Sequence, residues 1–299
     1  MDKGIYTALS GGIAKAHELD LIANNLANAN TAGFKRDTGT FNEYLSELRH
    51  PDSVQSLGRE IAGLTSEDGR VQGDKSFVEM DGVYTDFRQG GLQKTGRTLD
   101  VALEGTGFFE VLTPQGVRYT RQGNFSIDNT GKLVNASGFP VLSRSAKSGA
   151  EEKPAGGSFG TVGVKEAAKA PKAAAPRDLN PEGRMIVLGD VGPVKITPEG
   201  EIHQNGGVVG SINIEEFHES QWLEKVGNSL YRNTKLENLK GTQGESKMHQ
   251  GFIEGSNVNA VSEMTRLIEA TRSYESHMQA IKTYQDIDTR TANDIARER

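Results

Sequence analysis

Few residues in this chain have the types and spacing that a catalytic centre needs. The six histidines are scattered, and His218-Glu219 is followed by Ser220, Gln221 and Trp222, which breaks the H-E-x-x-H pattern of zinc proteases. The chain contains no cysteine, so thiolate zinc ligands, thiol nucleophiles and disulfides are excluded. A zinc site would need distant histidines to converge. We therefore expect no metal site.

Phosphate-binding and nucleophile motifs are also incomplete. The segment 105–107 reads Gly-Thr-Gly, like the start of a dinucleotide loop, but Glu110 stands where the third glycine belongs and a strand follows rather than a helix. Gly131-Lys132 lacks the upstream glycine of a phosphate loop, because position 126 is Ser. No G-x-S-x-G elbow occurs. We expect no catalytic residue and no cofactor, and predict that the protein is not an enzyme.

Composition excludes further classes of protein. The net charge of −6 argues against a general nucleic-acid-binding surface. No apolar run approaches the length that a transmembrane helix needs, so we expect no membrane span. The first 26 residues carry Asp2, His17, Glu18 and Asp20 and lack the apolar core of a cleavable export signal. Glycine makes up 36 of the 299 residues, or about 12%, compared with roughly 7% in an average protein. This excess indicates many turns between short strands.

Both ends of the chain have the periodicity of amphipathic helices. Over residues 5–29 and 261–284, apolar residues recur at steps of three and four, which places each set along one face of a helix. Gly33 follows the first pattern, and no proline or glycine occurs after Gly255. The apolar positions are Ile5, Leu9, Ile13, Ala16, Leu19, Ile22 and Leu26 in the first helix and Val261, Met264, Ile268, Thr271, Tyr274, Met278, Ile281 and Tyr284 in the second.

The middle of the chain has the texture of an antiparallel β-domain. Turn sequences at 113–116, 128–131, 135–138, 197–200 and 205–206 separate short runs of strand-forming residues. The predicted strands are 108–112, 117–120, 125–127, 132–134, 185–188, 194–196, 201–204 and 208–214. Residues 145–182 hold four of the nine prolines and almost no large apolar residue except Phe159, and we predict a flexible insertion there.

These patterns predict an α+β fold in five parts. An N-terminal helical segment (1–40) and a C-terminal helical segment (258–299) flank a β-rich middle domain (83–235) that contains the insertion. An extended or irregular connector (41–82) and a return connector (236–257) join the parts. Two terminal amphipathic helices leave apolar stripes that one modest β-domain need not cover, and neighbouring subunits can bury these stripes in a heterologous helical assembly.

The two ends also carry long sequence motifs that resemble those of one protein family. The segment 22–35, IANNLANANTAGFK, resembles the N-terminal signature of bacterial flagellar rod and hook proteins, and 251–264, GFIEGSNVNAVSEM, resembles their C-terminal signature. LDVAL at 99–103, GFF at 107–109, YTR at 119–121 and GKLV at 131–134 are similar to the central β-domain of the family. Residues 1–8 and 254–260 are most similar to proximal-rod members, with distal-rod members as the alternative.

The resemblance implies a structural subunit of the flagellar basal-body rod, the shaft that transmits motor torque. It implies that the terminal helices pack together, coiled-coil-like, in an inner tube while the β-domain faces outward. The implied partners are other rod subunits, further copies of the chain and the flagellar type III export apparatus, and the implied location is the periplasmic rod after export. A β-rich peptidoglycan-acting enzyme and a binding module remain the alternatives from other classes.

The expected assembly interface combines the apolar stripes with three asparagines. Asn24, Asn25 and Asn28 either bond across subunits or stabilise the local turn before Gly33. The full set comprises Ile5, Leu9, Ile13, Leu19, Ile22, Asn24, Asn25, Leu26, Asn28, Val261, Met264, Ile268, Tyr274, Met278 and Ile281.

Overall fold

A computed structural model describes residues 2–45, 76–144, 181–189, 192–240 and 246–297. The chain forms two compact units, each built from separate stretches of sequence. Unit 1 comprises Met1–Ala29, Asp37–Asp86 and Val258–Arg299, and unit 2 comprises Asn30–Arg36 and Phe87–Asn257. The predicted insertion lies outside the described residues except for Pro181 and Glu182.

Unit 1 contains both long helices, α1 (Asp2–Ala27) and α2 (Ala260–Arg297), as the terminal periodicities predict. The two helices pack against each other. Asn259 caps α2: its side-chain Oδ1 accepts a hydrogen bond from Ser262 N at 3.2 Å, which satisfies one of the free amides at the helix start.

A long hairpin completes unit 1. Strands β1 (Asp37–Leu45) and β2 (Ser76–Thr85) pair antiparallel, with a bulge between Thr40 and Phe41. The hairpin packs on α1, and Gly39 makes this approach possible: a Cβ there would lie 2.9 Å from Leu21 Cδ1. The described parts of the predicted connector 41–82 are therefore paired strands, while residues 46–75 lie outside the described part of the chain.

Unit 2 consists of short strands joined by tight turns. Three 3₁₀ turns, Pro181–Arg184, Ser220–Trp222 and Leu236–Asn238, interrupt them. The strands are β3 (Leu92–Lys94), β4 (Val101–Glu104), β5 (Phe108–Thr113), β6 (Gly116–Thr120), β7 (Ser126–Ile127), β8 (Leu133–Val134), β9 (Val194–Ile196), β10 (Glu201–Gln204), β11 (Gly207–Ser211), β12 (Ile214–Glu215), β13 (Leu223–Gly227), β14 (Leu230–Asn233), β15 (Lys247–Gln250) and β16 (Phe252–Glu254).

Every strand pair in the described residues is antiparallel, so the predicted α+β class with antiparallel sheets is confirmed. The largest sheet has the order β12-β5-β6-β14-β13, and a second has the order β11-β10-β9. Two further pairs, β15-β4 and β16-β3, bring the C-terminal part of unit 2 onto its beginning. The predicted return connector thus contains two paired strands.

Two apolar clusters stabilise unit 2. The larger includes the fully buried Leu103, Phe109 and Phe125 together with Met248 of β15. The smaller is aromatic, and in it Phe108 makes edge-to-face contacts with Phe217 and Tyr231 at centroid distances of 5.6 and 5.7 Å.

The turn chemistry found in the sequence accounts for the hairpins. Asn205 and Gly206 have φ values of 53° and 82°, as a type I′ turn between β10 and β11 requires. Gly131 and Gly138, at the ends of two predicted turns, also have positive φ. Residues 185–188, predicted as a strand, form only isolated bridges, through Met185 and Val187.

Candidate assembly interface

A glycine notch brings α1 and α2 together. The His277 ring of α2 lies on Gly11, where a Cβ would be 2.8 Å from the ring Cε1 atom. The neighbouring Gly12 is also buried, but a Cβ there would meet only His277 Cβ, at 3.8 Å. Position 11 is glycine because the side chain of any other residue would occupy the space of the His277 imidazole. The predicted helical stripes do not include this contact.

Packing in unit 1 divides the predicted apolar set of α1 between its interior and its surface. Ile22 is buried at 5% exposure, whereas Leu9 and Ile13 are 41% and 51% exposed. Ile5, Leu19 and Leu26 are half-buried. Tyr6, which the helical stripe omitted, is 58% exposed and lies three residues before Leu9 on the same helix face. The first half of α1 therefore presents a row of exposed apolar side chains.

The same division occurs on α2. Ile281 is buried, and Thr271 and Tyr274 are half-buried, whereas the other predicted positions are exposed. Val261, Met264 and Ile268 are 75%, 52% and 54% exposed, and Met278 is 45% exposed. Steps of three and four place Val261, Met264 and Ile268 in one row at the start of α2. The exposed row at the start of α2 thus contains three predicted positions, and Met278 and Tyr284 are exposed further along the helix, while Ile281, Tyr274 and Thr271 are buried or half-buried.

Two of the three predicted asparagines make their hydrogen bonds within the chain. Asn25 is buried: its Nδ2 donates to Asp37 O at 2.7 Å, and its Oδ1 accepts from Asp37 N at 2.9 Å. Asn28 Nδ2 donates to Asn24 O at 2.9 Å, and Asn24 itself is exposed. The Asn25 bonds reach Asp37, beyond Gly33, and the Asn28 bond stays within the end of α1; the role of the three asparagines between subunits stays a prediction.

Sequence patterns missed a buried ionic cluster where the two family-like motifs meet in unit 2. Lys35 Nζ lies 2.6 Å from Glu254 Oε1, and both side chains are completely buried. Arg121 NH1 lies 3.2 Å from Glu254 Oε2. All three residues lie within the quoted motifs, but charged residues carry no helical or strand periodicity that would predict their burial. Burial lowers the pKa of Arg121 from its ordinary value, and the charge of Glu254 opposes that shift.

The segments that leave unit 2 are also hydrogen-bonded to one another. Arg36 N donates to Asn257 Oδ1 at 2.8 Å, and Asn257 Nδ2 donates to Arg88 O at 3.1 Å. The Lys35 ammonium donates to the same carbonyl, Arg88 O, at 2.7 Å. Three ends of the two sequence stretches that form unit 2 therefore meet in one hydrogen-bonded junction.

The described residues offer little else that could act on a ligand. No group of three or more His, Asp or Glu among them has the arrangement of a metal site. Neither of the two long helices, over its described residues, has the apolar length needed to cross a membrane. Exposed apolar side chains of unit 1 lie on its two helices and on β2, where Val83 and Tyr84 are 48% and 55% exposed.

Comparison with protein families gives three matches in the order of the chain. Residues 5–35 match the family described as flagella basal body rod protein. Residues 102–208 match the D1 domain described as flagellar hook protein FlgE/F/G. Residues 249–295 match the C-terminal domain described as flagellar basal body rod FlgEFG protein.

Relatives are similar over nearly the whole chain. The flagellar basal-body rod protein FlgG of Bacillus subtilis (strain 168) is 31% identical over 293 residues, which cover 96% of this chain and 97% of the relative. The flagellar basal-body rod protein FlgF of Caulobacter vibrioides (strain ATCC 19089 / CIP 103742 / CB 15) is 32% identical over 276 residues, which cover 92% and 91%. The two names occur at nearly equal identity.

Proposed function

The chain belongs to the flagellar basal-body rod protein family and is a structural subunit of the rod, and we propose that it polymerises through the exposed apolar rows of α1 and α2. The observation that carries this proposal is the exposure of Tyr6, Leu9 and Ile13 on one helix and Val261, Met264 and Ile268 on the other. Fully burying one such side chain contributes about 1.5–3 kcal/mol, so the half-exposed ones contribute about 1 kcal/mol each.

Neighbouring rod subunits and further copies of this chain are the proposed occupants of these rows. Rod assembly requires heterologous contacts, in which different surfaces of successive copies meet and the assembly continues along an axis. In this proposal residues 1–40 and 258–299 are the assembly segments, coiled-coil-like packing continues between subunits, and the role is non-catalytic. Export through the flagellar type III apparatus belongs to the same proposal because the family resemblance implies it.

A charge placed in the exposed row of α2 tests the proposal. Ile268→Asp puts a carboxylate where a neighbour would bury an apolar side chain, and Ser276→Asp puts the same charge on an exposed position of α2 outside the row. We expect the Ile268→Asp strain to lose motility and to lack complete rods in isolated basal bodies, while Ser276→Asp swims normally. Normal rods in the Ile268→Asp strain would overturn the proposal.

The axial position of the subunit is a separate part of the proposal. We propose the proximal rod, on the sequence similarity of residues 1–8 and 254–260, with the distal rod as the alternative. Labelling the protein in isolated basal bodies and measuring its distance from the two ends of the rod distinguishes these positions. A label confined to the half of the rod nearest the hook would exclude the proximal assignment.

A further inference from the structure

Unit 2 encloses a single carboxylate between two cations, all three removed from water. The side chains of Lys35 and Glu254 are 0% exposed and that of Arg121 is 2% exposed. Glu254 Oε1 accepts from the Lys35 ammonium and from Gly90 N at 2.9 Å, while Glu254 Oε2 faces the Arg121 guanidinium. In the described part of the chain, Glu254 is the only carboxylate within ion-pair distance of Arg121.

The three charged groups come from stretches that are far apart in sequence. Lys35 precedes Glu254 by 219 residues, and Arg121 precedes it by 133. Glu254 ends β16, whose pairing with β3 places Glu254 opposite Leu92. Its backbone carbonyl also accepts from Gly33 N at 2.8 Å. The carboxylate therefore reaches its position only when β16 has joined the rest of the unit.

Among the described residues Glu254 makes the only ion pair with Arg121, although the charge of Glu216 also raises the pKa of Arg121. The Arg121 NH2 group donates to Gly105 O at 2.7 Å, its guanidinium lies 4.7 Å from the centroid of the Phe108 ring, and its buried Nε has no hydrogen-bond partner in the described part of the chain. A buried cation without a compensating anion carries a large desolvation penalty, so water remains favoured around Arg121 until an anion arrives.

We propose that Glu254 is a latch that closes unit 2 as the last step of its folding, after the strands around Arg121 have formed. Before β16 docks, the interior around Lys35 and Arg121 stays open and hydrated. Docking of β16 inserts the carboxylate, excludes the water and fixes the junction from which residues 36 and 257 leave the unit. Unit 2 therefore closes only when Lys35, near its first residues, and Glu254, near its last residues, are both in place.

Folding kinetics of the full chain test the latch, with Trp222 as the probe because it is the only tryptophan and lies in unit 2. Glu254→Gln keeps the size of the side chain and removes its charge. Breaking a buried pair from one side costs about 3–5 kcal/mol, which corresponds to about 100-fold or more in the unfolding equilibrium. A late latch predicts that this factor is carried by faster unfolding, with the refolding rate changed less than about threefold.

Glu104→Gln is the matched control, because Glu104 is an exposed carboxylate at the end of β4 that pairs with His249. We expect its folding and unfolding rates to equal those of the unsubstituted chain. The latch is overturned if Glu254→Gln slows refolding by the full equilibrium factor, since Glu254 would then be seated before the transition state. It is equally overturned if Glu254→Gln leaves both rates unchanged.

A second variant keeps the test decisive if Glu254→Gln does not fold. Replacing all three members, Lys35→Met, Arg121→Met and Glu254→Met, removes the charges together and leaves apolar side chains of similar length. We expect this chain to regain the native Trp222 fluorescence and to refold at the unsubstituted rate, because nothing then depends on charge neutralisation. Failure of the triple variant to fold would contradict the latch.

Discussion

The substitution Gly11→Ala tests the packing of the two helices that leaves their apolar rows exposed. A Cβ at Gly11 would lie 2.8 Å from His277 Cε1 and 3.2 Å from both ring nitrogens. The ring therefore has to move or the helices have to separate. Gly12→Ala is the matched control, because the nearest atom to its Cβ, at 3.8 Å, is at ordinary contact distance.

The expected size of the effect follows from two opposed contributions. Alanine in a helix interior is about 1 kcal/mol more favourable than glycine, and this gain is shared by both substitutions. Only Gly11→Ala also overpacks the contact with His277, which costs about 1–3 kcal/mol. The two variants should therefore differ in free energy of unfolding by about 1–3 kcal/mol, with Gly12→Ala the more stable.

Urea unfolding of the full chain, followed by the circular dichroism of its helices, measures this difference. Removing the ring with His277→Ala provides the second half of a double-mutant cycle. In that background Gly11→Ala should change sign and stabilise the protein by about 1 kcal/mol, because only the propensity gain remains. Equal free energies of unfolding of Gly11→Ala and Gly12→Ala in the unsubstituted background would refute the claim that Gly11 leaves the space that the His277 ring fills.

Two further predictions concern a side-chain hydrogen bond to the backbone in unit 1 and a close backbone contact of a glycine in unit 2. Asn25→Ala removes the two hydrogen bonds of the buried Asn25 side chain to the half-buried backbone amide and carbonyl of Asp37, so it should lower the free energy of unfolding by about 1–3 kcal/mol in urea titrations. Gly123→Ala places a Cβ 1.6 Å from Val101 O and should lower the free energy of unfolding by more than about 3 kcal/mol, measured by Trp222 fluorescence. Gly91→Ala is the control: its Cβ would have no atom within 4 Å, so it should change the free energy of unfolding by less than about 0.5 kcal/mol.

The sequence predicts those parts of the fold that depend on local chemistry. Helical periodicity located both long helices because steps of three and four produce a continuous apolar face. Turn residues such as Asn205-Gly206 located hairpins because few residue types adopt positive φ without strain. The bounds of β9 and β10 agree with the predicted strands for this reason.

Periodicity within a segment does not predict contacts between stretches that are far apart in the sequence. The pairing of β15 with β4 and of β16 with β3 depends on which edges are available after the other strands have paired. The burial of Lys35 depends on a carboxylate that follows more than two hundred residues later. The sequence pattern also does not show which residues of the α2 stripe are buried. Ile281 and Ile268 have the same chemistry and differ only in whether they lie on the side of α2 that faces α1.

Burial of the exposed rows of α1 and α2 between subunits of the rod can be measured directly. Because the chain contains no cysteine, Ile13→Cys and Val261→Cys each introduce a single thiol whose alkylation can be measured. We expect rapid alkylation of both thiols in the free protein and strong protection of both in isolated basal bodies. Equal alkylation of the two thiols in the free protein and in assembled rods would contradict this burial.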